Sequence, residues 1–79
     1  MAKKSGKRAS SIDLHVAVRL RAKRTELGIS QTELADVFGT TFQQVQKYEK
    51  GTNRISAGRL WQVAKYFKVP ITYFFEGLK

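Results

Sequence analysis

The chain has 79 residues and a formal charge of +9, with fifteen Lys and Arg against six Asp and Glu. That length allows one small domain with a workable core, and the absence of cysteine excludes a disulfide framework or a thiolate metal site, so packing must supply the stability. The charge calls for a polyanion or an acidic surface as partner. No apolar run approaches the roughly 18 residues of a membrane span, and the basic N-terminus lacks the apolar segment of a secretory signal, so a cytoplasmic protein without a membrane partner is expected.

Residues 1–11 are polar, small and cationic, with Lys3, Lys4, Lys7 and Arg8. They cannot bury enough apolar surface to order themselves, which divides the chain into a basic arm at 1–11 and a domain at 12–79. Two readings of the arm stand. It follows a nucleic-acid backbone or enters a minor groove, or it is a solvated tail that adds diffuse attraction. The first helix is predicted from about Asp13 to Leu27, capped by Ser11 or Asp13 and stopped by Gly28. Val16, Leu20 and Leu27 fit one buried face, with Ala17 and Ile12 beside them. Arg19, Arg21 and Lys23 fall largely off that face and read as solvated surface, with contact to phosphates flanking a bound site as the alternative. His15, the one histidine, reads as a surface or capping residue without chemistry.

Ser30 to Gly51 carries the clearest pattern. Ser30 is suited to cap a helix, with Glu33 three residues on to complete a capping box. Leu34, Ala35 and Phe38 form an apolar stripe at helical spacing, and Gly39 suits the left-handed turn that ends it. Thr41 caps the next helix, with Gln44 as the second box. Val45 and Tyr48 face inward, and Gly51 ends the helix. Two short capped helices joined by Gly-Thr describe a helix-turn-helix over about Gln31–Phe38 and Phe42–Lys50.

The segment resembles the helix-turn-helix of the lambdoid-phage repressor and Cro family, the xenobiotic-response-element family of transcription regulators. The matching residues are Ser30-Gln31, Glu33-Leu34-Ala35, Gly39, Thr41, Val45, and Glu49 with Gly51. More weakly, the likeness runs from about Ile12 to Gly77. It implies double-stranded DNA as partner. It pairs Arg24 with Glu49 as a partly buried ion pair that locks the third helix onto the first. It puts Gln31 against the DNA backbone, where the plain alternative is an exposed glutamine. It places Thr41 and the loop residues Thr52, Asn53 and Arg54 on phosphates, which set register without reading sequence. Phe42, Gln43 and Gln44, with Lys47 one turn on, match base-reading positions. Gln bonds adenine N6 and N7 together, and Lys reaches guanine O6 and N7. Phe42 departs from the glutamine of several phage repressors. It either meets thymine methyl groups or folds back over the second helix. Gln44 either reads a base or is occupied with the Thr41 backbone.

A fourth helix is predicted from Ser56, its cap, to Lys68, with Leu60, Val63, Ala64 and Phe67 on its core face. Gly58 weakens it slightly. Pro70 suits the first position of a fifth helix. There Phe74 with Ile71 is expected to close the core, leaving Tyr73 and Phe75 outside. With Trp61, these form an aromatic cluster of the kind that marks a contact surface, and the resemblance implies a homodimer through it. The alternative is one core that takes every ring.

No P-loop, GxGxxG, zinc site or nucleophile–base set is present in the sequence, and no small-molecule ligand or cofactor is implied. The expected protein is all-α, with five helices, and not an enzyme. Its expected activity is sequence-specific binding to double-stranded DNA as a dimeric repressor on a palindromic operator. Two alternatives are an antitoxin that binds a toxin and autoregulates, and a protein-interaction module using the same fold.

Overall fold

The computed structural model describes residues 10–78. The basic run at residues 1–9 lies outside the described residues. Four α-helices, α1 (Ser11–Glu26), α2 (Gln31–Phe38), α3 (Phe42–Lys50) and α4 (Ala57–Phe67), are followed by one 3-10 turn, Ile71–Phe75. No strand occurs among the described residues.

Each helix starts on a hydroxyl. Ser10, not Ser11 or Asp13, caps α1. Its Oγ accepts from the Asp13 N–H at 3.1 Å while Asp13 Oδ2 accepts from the Ser10 N–H at 3.0 Å, a complete capping box. Asp13 therefore belongs to the cap as its third helical residue. Ser30 and Thr41 cap α2 and α3 as expected, accepting from the Glu33 and Gln44 N–H groups at 3.0 and 3.2 Å. The reciprocal half of the Glu33 box is replaced. The Glu33 carboxylate instead accepts the Tyr66 hydroxyl from α4, a bond that holds that phenol protonated above its ordinary range. Gln44 meets Thr41 through its backbone alone. Helices α2 and α3 end on Gly39 and Gly51, both left-handed at φ 72° and 75°.

The core takes one stripe from every element. Leu20, Leu34, Val45, Val63 and Phe74 are fully buried, ringed by Val16, Ala35, Phe38, Tyr48, Leu60, Ala64 and Phe67. The Phe38 and Tyr48 rings meet edge to face at 5.7 Å. Helix α2 packs on α3 and α4, and α3 packs on α1; the final turn lies against α1 and α4.

Several expectations fail at the ends of elements. Leu27 lies beyond the last turn of α1 and is 46 % exposed, and Ile12 is exposed as well. Ile29, past the Gly28 turn, packs against the core instead. The fifth helix is only a 3-10 turn. Between Pro70 and Gly77 there are six residues, too few to repay α-helix nucleation. The chain closes i to i+3 bonds there, Tyr73 N–H to Pro70 O and Glu76 N–H to Tyr73 O. Pro70 stands just before this turn rather than inside it. Phe74 is buried, but Ile71 is exposed.

Candidate nucleic-acid interface

Helix α3 is seated from three sides. From α1, Arg24 donates to both oxygens of Glu49, Nε to Oε2 at 2.5 Å and Nη2 to Oε1 at 3.0 Å. Its remaining Nη1 donates to the Ile29 carbonyl at 2.8 Å, so the fork also pins the α1–α2 turn. From the start of α2, the Gln31 amide donates to Glu49 Oε1 at 3.0 Å. From α4, Arg59 donates to the Tyr48 hydroxyl at 2.6 Å. Both members of the ion pair are buried, their side chains 11 % and 3 % exposed. A pair this desolvated adds little net stability. It does fix the rotation of α3 about its own axis, because a bidentate fork tolerates one orientation.

That rotation decides which residues face out. Val45, Tyr48 and Glu49 point inward, and Phe42, Gln43, Lys47 and Lys50 are exposed. Gln44 and Gln46 are half-buried. Phe42 keeps 37 % of its surface exposed.

The expected phosphate-binding residues divide. Thr41 uses its hydroxyl to cap α3. The Thr52 hydroxyl donates to the Lys47 carbonyl at 3.2 Å, closing the end of α3. Asn53 is exposed. Arg54 donates to Asp13 Oδ2 at 3.1 Å, which ties the loop after α3 to the cap of α1. Desolvation of the Asp13 carboxyl opposes its ionisation, but the Ser10 N–H and hydroxyl and the Arg54 charge outweigh it, holding Asp13 below the ordinary value. The Gln31 side-chain amide spends one of its two N–H groups on Glu49. The opening N–H groups of α2 still have no acceptor within the helix.

The aromatic cluster also divides. Trp61 is 57 % exposed, with Lys65 Nζ 4.5 Å from its ring centre, and Phe75 is exposed too. Tyr73 is not left outside. It packs against the core beneath Arg19, whose guanidinium carbon lies 3.8 Å from the ring centre. Arg19 also donates to the Tyr73 carbonyl and to Glu76, both at 2.9 Å, and His15 Nε2 bonds the Glu76 carbonyl at 2.6 Å. His15 and Arg19, one turn apart, thus clamp the C-terminal turn to α1. The sequence carried only their i, i+4 spacing, and their role went unread.

A family model described as helix-turn-helix matches residues 20–74. A protein from Sinorhizobium medicae, described as an uncharacterized HTH-type transcriptional regulator, is 51% identical over 70 residues. That alignment covers 89% of this chain and 50% of the relative, so the chain spans about half of that protein. Among solved structures, the restriction-modification controller protein C.AhdI from Aeromonas hydrophila superposes with a TM-score of 0.75 at 26% identity, covering 84% of this chain and 100% of that one. The DNA-binding domain of BldD gives 0.71 at 25% identity, covering 84% of this chain and 96% of that one. Matching over most of its length in sequence and in fold, the chain belongs to the helix-turn-helix family of the repressor and Cro type.

Proposed function

We propose that this protein is a transcription regulator that binds double-stranded DNA by sequence, inserting the outer face of α3 into the major groove. The observation that carries this reading is the seating of α3. Arg24, Gln31 and Glu49 lock it to two other helices while Phe42, Gln43 and Lys47 stay exposed at and just beyond its first turn. A rigid helix with polar side chains directed outward from its opening turn suits base readout. Gln43 and Lys47 supply the amide and ammonium that read adenine and guanine, with Phe42 against thymine methyl groups and Gln44 at the groove edge. Thr41, Thr52, Asn53 and Arg54, with the opening N–H groups of Gln31 and Thr32, hold flanking phosphates and give the salt-dependent affinity.

A two-fold dimer would set two copies of α3 about 34 Å apart on one face of a palindromic site. Bound there, it would repress by blocking polymerase in the cytoplasm. Trp61 and Phe75 supply exposed apolar surface for such a pairing. Among the described residues no helix is long and apolar enough to cross a membrane. The protein is a regulator rather than an enzyme.

The reading is tested by Gln43→Ala, which should relax preference at one base position by about 1–3 kcal/mol. An equal loss on every duplex would remove Gln43 from base readout. Phe75→Asp should turn a sedimenting dimer into a monomer, and an unaltered profile would reject that interface. Co-purification with a small protein partner in place of operator binding would favour the antitoxin or interaction-module reading.

A further inference from the structure

Asp13 is one of six acids in a chain of charge +9, and it stands beside the loop that follows α3. Two successive residues of α1 hold that loop. Leu14 lies against Gly51, and Asp13 Oδ2 accepts from Arg54 Nε at 3.1 Å. The same oxygen accepts the Ser10 N–H at 3.0 Å and the Ser10 hydroxyl at 2.9 Å. The cap of α1 therefore fixes this carboxylate independently of Arg54.

Arg54 is held at the root of its fork only. Nε takes the bond to Asp13, the side chain is 61 % exposed, and the Nη groups make no bond among the described residues. A guanidinium anchored through Nε keeps its Nη donors for a second anion. Two opposed effects then act on any phosphate near this loop. The Asp13 charge repels it, and diffuse electrostatics alone predicts that removing the acid strengthens binding. Salt screens exposed charges over about 8 Å, and the Arg54 charge stands between the two anions, so that repulsion is weak. Against it, a long side chain already held in place loses less freedom on binding than one left to swing. The second effect is local and unscreened, and it outweighs the first.

We propose that Asp13 is a positioning residue for DNA binding: it anchors Arg54 through Nε, presets the Nη groups for a backbone phosphate, and so strengthens binding despite its negative charge. The assignment rests on the DNA-binding reading above, in which Arg54 meets a phosphate. It gives an acid of α1 a part in affinity that it exerts wholly through another residue. The capping box of α1 acquires a second use, since the bonds from Ser10 that start the helix also hold the anchor still.

The test uses the full chain and a duplex that it binds, at physiological salt and well below the melting temperature of every variant. Asp13→Ala should weaken all duplexes alike by about 2- to 10-fold, the ordering of one long side chain. In an Arg54→Ala background the same change should no longer weaken binding. Ser10→Ala removes the cap hydroxyl but leaves Asp13 and Arg54 paired, so it isolates the stability of α1 and should leave affinity unchanged. Methylphosphonate substitution, which neutralises phosphates one at a time, should show one position whose penalty shrinks in Asp13→Ala and in Arg54→Ala alike. If Asp13→Ala binds as tightly as the wild type, or more tightly, Asp13 merely competes with DNA for Arg54, and the positioning role falls while the DNA-binding reading stands. A loss that persists without Arg54, or that Ser10→Ala reproduces, would make Asp13 a cap residue alone and overturn the role equally. If the wild type binds no duplex, the DNA-binding reading and the positioning role fall together.

Discussion

Arg24 and Glu49, 25 residues apart in the chain, meet through a two-pronged bond that is almost entirely out of water. Their charges invite a functional reading, yet neither is available to a ligand. Arg24 to Ala should destabilise the fold by about 3 kcal/mol, since it strands a buried carboxylate. Lys at 24 should recover little, because an ammonium cannot span both oxygens. Replacing both residues with apolar ones should cost less than either single change. Urea unfolding of these variants and of Glu49→Ala beside the wild type measures this, and a loss below about 1 kcal/mol for Arg24→Ala would refute a desolvated pair.

Gly51 carries two constraints where Gly39 carries one. Both sit at positive φ, which costs an alanine about 1–2 kcal/mol. A Cβ on Gly39 would meet open space, whereas one on Gly51 would collide with Leu14 Cδ2 on α1. Gly51→Ala should therefore cost more than Gly39→Ala, by the strain of moving the Leu14 side chain, about 1 kcal/mol. Adding Leu14→Ala should abolish that difference. Equal melting-temperature shifts for the two glycine variants would deny the close approach of α3 to α1.

Lys68 is the single non-glycine residue at positive φ among those described, at 61°, where α4 ends. Its side chain is exposed. Lys68→Gly should raise stability by about 0.5–1 kcal/mol, the relief of left-handed strain less the added freedom of the unfolded chain. For a domain of this size that is a rise of several degrees in melting temperature. A fall would mean that Lys68 contributes a contact of its own.

Asp13 links stability to acid. Its folded value is lowered, so its contribution is present above the ordinary carboxylate value of 3.8 and is lost as pH falls through the lowered one. Asp13→Asn should thus be less stable than the wild type at neutral pH, and the two should converge as pH falls through that lowered value. Urea midpoints across that range measure the convergence. Parallel curves would show that Arg54 and Ser10 do not hold the carboxylate in its charged form.

What could be read from the sequence was what neighbouring residues decide. Ser30, Thr41 and Ser56 cap helices through bonds to the third residue on, and Gly39 and Gly51 end them, so the boundaries of α2 and α3 were visible before the structure. The pairing of Arg24 with Glu49 came from family resemblance, since nothing local links them. Contacts between distant residues stayed hidden. Gln31 and Glu49 are 18 apart, Asp13 and Arg54 41, and His15 and Glu76 61. Each reassigns a polar side chain that seemed free. The final turn was misjudged because its aromatic residues were counted as a helical face. A 3-10 turn buries Phe74 and lets Tyr73 lie flat beneath Arg19 instead.

Selection of bound duplexes from a random pool at physiological salt tests the central claim most directly. A specific reader built on α3 predicts an enriched, two-fold symmetric motif with half-sites about 10 bp apart. An enriched single half-site would keep the reader and remove the dimer. No enrichment, with binding that vanishes as salt rises, would contradict sequence reading altogether and leave a cationic domain whose partner is another kind of molecule.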